Sequence, residues 1–227
     1  MRIFYRIIIF FLFSTYPFFV NSHVQHYENL NRIEFDIYRN NKHIGKHIFS
    51  FKKTDNQIEV ESEINFEIKK LGVVLYKYHV KGKEIYKDGK LIKFNSNTNQ
   101  NGKEKYVNVI LNNNELDIDG SSYKGKAPVE YLLGTWWNHS LVEANAQISA
   151  VSGRIIKQKV TFVGKENINI DGKIYKTLHF NFSSTDKKLS KDKKLNTDIW
   201  YEEDTLNWVR ATFKKKGDWE YRLILIK

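Results

Sequence analysis

The chain has 227 residues, no cysteine, 41% hydrophobic side chains and a formal net charge of +11. That apolar content suffices for one large domain, while the lack of thiols rules out a disulfide scaffold and cysteine chemistry. A basic chain is drawn to anionic partners, but the lysines are dispersed along strands. The densest block, "KKLSKDKK" at 187–194, reads as a solvated loop, and no zinc-finger, RNP or helix-turn-helix pattern occurs, so nucleic acid is not an expected partner.

The N-terminus reads "MRIFYRIIIFFLFSTYPFFVNSH". Arg2 and Arg6 precede an uncharged apolar run from Ile7 to Val20, and Val20 and Ser22 fit the small-residue positions before a cleavage site. This is the layout of a secretory signal peptide covering residues 1–22, with a mature chain from His23. The run is shorter than the roughly 20 residues of a spanning helix, so an integral membrane protein is not expected after cleavage. Export without cysteine fits a bacterial periplasm, or secretion from a bacterium.

Beyond the leader, side chains alternate with period two. Ile33, Phe35 and Ile37 form one apolar set. In Ile58 to Ile68 the even positions are mostly apolar, while Glu59, Glu61, Glu63, Asn65 and Glu67 take the odd ones. Tyr76, Tyr78 and Val80 follow, then Leu178, Phe180 and Phe182, then Trp219, Tyr221, Leu223 and Leu225. Successive side chains of a strand point to opposite faces, so each run is a strand with one wet and one dry face. Asn40-Asn41, Asp88-Gly89, Asp119-Gly120, Asp171-Gly172 and Gly217-Asp218 supply the turn chemistry between them. The expectation is a mostly β domain over residues 23–227. Its roughly nine to eleven strands form a long antiparallel meander curved into a half-barrel or open barrel.

One stretch departs from the alternation. From Pro128 the chain reads "PVEYLLGTWWNHSLVEANA". Val129, Leu132, Leu133, Trp136, Trp137, Ser140, Leu141 and Ala144 recur at helical spacing, and Pro128 suits a first helical turn. The spacing predicts a short helical insert near residues 128–145, with Trp136 and Trp137 on one broad apolar face and Asn138 at its edge.

Catalytic and metal signatures are sparse. His43 and His47, on a strand, would share a face about 13 Å apart, too far for one ion. There is no H-E-x-x-H, no G-x-S-x-G and no phosphate-binding glycine loop. Ser140 adjoins His139, but neighbours on a helix do not face each other. Glu202 and Glu203 fall in a hairpin that reads as solvated. No cofactor is expected. Phe, Tyr and Trp make up 15% of the chain, and a curved sheet lined with them can enclose an apolar ligand or simply fill itself. Trp136, Trp137, Asn138, Trp200 and Tyr201 are the candidate ligand-binding residues.

Four stretches, "FDIYRNNKHIGKHIFSF" at 35–51, "TWWNHSL" at 135–141, "SGRIIKQKVTFVG" at 152–164 and "DIWYEEDTLNWVRATF" at 198–213, agree in order and spacing with one family. They resemble an uncharacterised family of bacterial exported proteins, a domain of unknown function with IG-x-H, Trp-Asn and L-W-Y-D-like motifs. His139 stands where Pro is common, and Glu202 rather than Asp follows Tyr201. The chain is also similar, more distantly, to periplasmic half-barrel proteins that resemble lipid carriers. The resemblance implies an exported half-barrel and no catalytic residues.

Three readings follow. The first is a non-enzymatic carrier or sensor of an apolar ligand such as a lipid. The second is an envelope scaffold that binds another protein or the cell surface and holds no small ligand. The third is an enzyme with an unrecognised site. An open cleft under the tryptophans favours the first, and a plugged one favours the second.

Overall fold

The computed structural model describes residues 27, 29–54, 56–190 and 193–227; the expected signal peptide, residues 1–22, lies outside them. Fifteen strands are present: β1 (Arg32–Arg39), β2 (Lys42–Thr54), β3 (Gln57–Lys70), β4 (Val73–Lys87), β5 (Lys90–Gln100), β6 (Lys103–Asn112), β7 (Glu115–Gly120), β8 (Lys124–Pro128), β9 (Leu132–Leu133), β10 (Ala146–Ile148), β11 (Ile155–Ile170), β12 (Lys173–Ser184), β13 (Asn196–Glu202), β14 (Trp208–Lys214) and β15 (Asp218–Ile226). They form one sheet in the order β8-β7-β6-β5-β4-β3-β2-β1-β15-β14-β13-β12-β11-β10-β9. The count exceeds the expected nine to eleven because four strands have six residues or fewer, too short to display an alternation. Apart from the parallel β9–β10 pair, every neighbour is antiparallel.

Tight turns set this topology. Asn40 and Asn41 at φ 49° and 61°, Asp88-Gly89 at 49° and 76°, and Asp171-Gly172 at 50° and 87° each close a two-residue hairpin. Left-handed backbone at both central positions matches the strand twist, and Asn, Asp and Gly tolerate it best. Asp119-Gly120 is not such a turn. Gly120 ends β7, and a Cβ there would lie 2.6 Å from the Ser152 carbonyl oxygen. This glycine serves a close approach of two backbones, not a reversal.

The sheet is open, but its two edges come near each other. Residues 129–131 alone connect β8 at one edge to β9 at the other, a gap that four Cα steps limit to about 14 Å. The loop after β10 reaches across to the first half of the sheet: Ser122 N, between β7 and β8, donates to Ser152 O at 2.9 Å, and Ser96 Oγ of β5 donates to Ala150 O at 2.5 Å. The expected half-barrel is therefore a sheet curled almost onto itself.

The inner face carries the core: Ile33, Phe35, Ile37, Phe49, Phe51, Val60, Phe94, Val107, Val109, Phe182, Ile199 and Trp208 are all buried. The outer face of β3 carries the expected acidic row, paired across strands: Glu59 with Lys83 at 2.7 Å, Glu61 with Lys52 at 3.3 Å and Glu63 with His79 at 2.8 Å. His43 and His47 do not share a face. The pairing of β1 with β2 steps from Gly45 to His43, so Ile44 is a bulge that inverts the alternation. His47 packs inside against Phe49, and His43 points out to Asp36 at 3.2 Å.

The insert is not a helix of several turns. Its helical part is a single 3-10 turn, His139–Val142, flanked by β9 and β10. Gly134 N donates to Ile148 O, and a Cβ at Gly134 would collide with Gln147 Oε1. The backbone bonds of the insert thus run sideways into β10. Trp136, with φ 64°, breaks the helical path at the residue where the apolar stripe is densest.

Candidate functional site

The insert carries three of the five candidate residues under the inner face of the sheet. Left-handed backbone at Trp136 splays two adjacent indoles that a helix would hold about 100° apart. The Trp136 ring goes to β14 and β15, edge-on to Trp208 at 5.4 Å and Tyr221 at 5.8 Å. The Trp137 ring goes to β2 and β4, edge-on to Phe51 at 5.4 Å and Tyr86 at 5.6 Å, and meets Tyr27 at 5.1 Å. One dipeptide thereby grips both halves of the sheet. Asn138 caps the 3-10 turn, its Oδ1 accepting from Ser140 N at 3.0 Å.

Trp137 is 0% exposed, and its Nε1 donates to both carboxylate oxygens of Glu84, at 3.0 and 3.2 Å. Tyr86 OH donates to the same carboxylate at 2.7 Å. Burial raises the Glu84 carboxyl to about 7, against the pull of the Tyr86 and Trp137 bonds. Tyr27 closes the cluster, accepting from His139 N at 2.9 Å and donating to Leu206 O at 3.2 Å. Sequence reasoning missed Glu84. Its signal was present: Tyr76, Tyr78 and Val80 set the apolar phase of β4, and Glu84 and Tyr86 continue it, so a carboxylate falls where the pattern demands an apolar side chain.

Tyr201 joins this group, its hydroxyl donating to the Trp136 carbonyl at 2.9 Å. Trp200 does not. As the next residue on a strand it faces the other way, stacked on His179 at 4.2 Å and covered by Arg210 at 5.0 Å. Its Nε1 donates to Glu166 Oε1 at 2.6 Å. His179 links Glu166 (3.0 Å) to Asp198 (3.1 Å) in the same outer-face network. Among the described residues no group of three His, Asp or Glu side chains is arranged to hold a metal ion. A second buried titratable side chain, His47, has its ring lowered to about 3 by burial alone, and it sits among Phe35, Phe49, Trp208 and Tyr221.

In chemical terms the inner site is a lock. A buried carboxylate with two side-chain donors, walled by aromatics, leaves no face open to a reacting group. Among the described residues the buried indole N–H groups of Trp136 and Trp208 meet no acceptor, an arrangement that costs stability.

Comparison with known proteins agrees with this architecture. A β-barrel-like protein of domain of unknown function DUF1849 from Brucella abortus is 11% identical, with a TM-score of 0.60, covering 86% of this chain and 96% of that one; the likeness is one of fold. A DUF1329 family protein from Desulfovibrio piger ATCC 29098 aligns over 91% of this chain and 90% of its own at 9% identity, with a TM-score of only 0.27. No curated protein matches the chain. The profile of a domain of unknown function, DUF6134, matches residues 35–224, which takes in the splayed tryptophans, Glu84 and both faces of β13. The chain belongs to the DUF6134 family.

Proposed function

We propose that this protein is a non-enzymatic protein of the bacterial envelope, exported by its N-terminal segment, that works through its surface with its half-barrel closed. The observation that carries this reading is Trp137, wholly buried on Glu84 in the space where an apolar ligand would lie. Phe51, Tyr86 and Tyr27 surround it, and Trp136 fills the other half against Trp208 and Tyr221. An interior filled to close packing leaves recognition to the outside. The test is mass spectrometry of organic extracts from protein purified out of its own envelope. A closed interior predicts no lipid at one per chain. A stoichiometric lipid overturns the reading.

The carrier reading rests on a different observation. The plug contains a left-handed Trp136 whose indole donor, like that of Trp208 beside it, is unpaired among the described residues, features that cost stability and that displacement of the insert would relieve. It predicts that a fatty acid or phospholipid raises the unfolding temperature and exposes Trp136 to acrylamide. No change in either on adding lipid rules it out.

A further inference from the structure

Six described hairpins have two-residue turns with left-handed backbone. Five begin with Asn or Asp: Asn40, Asp88, Asn101, Asn113 and Asp171. The sixth, between β3 and β4, begins with Leu71 at φ 50°. A bulky side chain at positive φ is strained, and this one is 96% exposed. Neither the backbone nor burial accounts for a leucine there.

The surroundings repeat the anomaly. Val73 and Leu75 are 61% and 54% exposed, and Val74 between them is partly exposed as well. Register explains why both faces are bare. β2 pairs with β3 only as far as Phe66, and β5 pairs with β4 only from Tyr78 onward. The β3–β4 hairpin therefore runs about four residues, roughly 13 Å, beyond its last pairing with either neighbour. It is a two-stranded finger with an apolar tip.

The finger is basic behind the tip. Lys69, Lys70 and Lys77 outnumber Glu67, which takes ion pairs from Lys69 at 3.0 Å and Lys77 at 3.3 Å. Alternation of the meander puts the β5–β6, β10–β11 and β14–β15 connections at the same end of the sheet. Their cations crowd one another: burial, then repulsion from Lys215, Lys103 and Arg154, lowers the Lys105 ammonium. A rim with more cations than carboxylates thus flanks an exposed apolar tip.

We propose that this end of the protein docks on an anionic lipid bilayer, with Leu71, Val73 and Leu75 entering the interface and the lysine rim meeting lipid phosphates. Apolar burial combined with attraction to anionic head groups is the pairing that holds peripheral proteins on membranes. An aqueous protein groove does not explain a finger exposed on both sides; a fluid medium that surrounds it does. The proposal rests on the surface-acting reading and names its partner.

The absence of native cysteine makes the test direct. The full chain is labelled with an environment-sensitive fluorophore through Val73→Cys, or through Lys90→Cys at the opposite end. Each is mixed with vesicles of 30% phosphatidylglycerol in phosphatidylcholine, or of phosphatidylcholine alone. The expected result is a blue shift at position 73, with quenching by bromo-lipids, only with the anionic vesicles and not at position 90. Leu71→Asp in the Val73→Cys background weakens vesicle binding about tenfold, and Lys69→Glu with Lys70→Glu abolishes the preference for anionic lipid. Comparing positions 73 and 90 separates tip insertion from attachment through the N-terminal segment, which would not bring position 73 selectively into the bilayer. No shift at 73, an equal shift at 90, an equal response to neutral vesicles, or a concentration-dependent shift without vesicles (a second copy covering the tip) each overturns the proposal. None of these outcomes reopens the interior, so the closed half-barrel stands or falls by the lipid extraction alone.

Discussion

Two tryptophans of this chain donate their indole N–H to a glutamate. Trp137 meets Glu84 inside the curled sheet, and Trp200 meets Glu166 outside it. The donor and acceptor types are the same, and the outer bond is the shorter. The surroundings differ. Glu84 is fully buried and accepts from Trp137 and Tyr86, whereas the Glu166 side chain is 48% exposed and shares His179 with Asp198. Water compensates any donor lost outside and none lost inside, so the same bond is a structural lock in one place and a modest contact in the other.

The largest difference is expected on truncation. Trp137→Ala removes the ring that joins Phe51, Tyr86 and Tyr27 and costs about 3–5 kcal/mol; Trp200→Ala costs roughly half as much, because Glu166 stays solvated. Urea melts of the two variants decide it, and equal midpoints would erase the distinction.

Titration sharpens the contrast next. The Glu84 carboxyl is raised from 4.5 to about 7, so the folded state holds its proton more tightly. That contribution to stability is complete below pH 4.5 and is lost as pH rises through 7, up to about 3 kcal/mol in all. His47, lowered from 6.5 to about 3, acts oppositely: its contribution is present above pH 6.5 and is lost as pH falls toward 3. Between pH 4.5 and 6.5 the two slopes oppose. Glu84→Gln leaves His47 alone, so its unfolding midpoint falls steadily on acidification through that window. Its advantage over the natural chain is then larger at pH 8 than at pH 5. A parallel pair of pH profiles would show that Glu84 is not the buried acid described here.

A smaller effect isolates the single bond. Trp137→Phe keeps most of the ring and leaves Glu84 short of a donor, costing about 1–3 kcal/mol at pH 8 and less at pH 5, where the carboxyl is protonated. Trp200→Phe costs under about 1 kcal/mol at either pH. The smallest effect belongs to the outer ladder: Glu63→Lys, beside His79 and Lys81, shifts stability by about 0.5 kcal/mol or less. Thermal melts at the two pH values check all three.

The period-two face of β1, β3 and β15 is legible in the sequence because each turns apolar side chains to the inner face along most of its length. The Asn-Asn, Asp88-Gly89 and Asp171-Gly172 turns were legible because their chemistry has few other uses. Asp119-Gly120 misled because a glycine that admits a neighbouring backbone looks the same as one that turns the chain. The insert misled for a stronger reason. Its apolar residues recur at helical spacing because they reach into two halves of a core, and the left-handed Trp136 that separates them is a tertiary outcome with no local signature. Trp200 and Tyr201 are adjacent candidates that do not share a site, because neighbours on a strand face apart. Glu84 is readable as a charge in the dry phase of β4, a signal diluted by the many lysines and glutamates of the wet phase.

The first strand pairs with the last at the middle of the sheet, Ile33 with Ile226 and Ile37 with Tyr221. Every other described antiparallel neighbour forms from consecutive strands, at little cost in loop entropy. This joint alone waits for the whole chain. Until residues 218–226 have emerged and found β1, the sheet has two raw edges at its centre, over the core that Phe35 and Trp208 will share. Completion of the fold is therefore a late event, set by the most distant contact in the chain. A chain whose β15 is not yet free to pair cannot close.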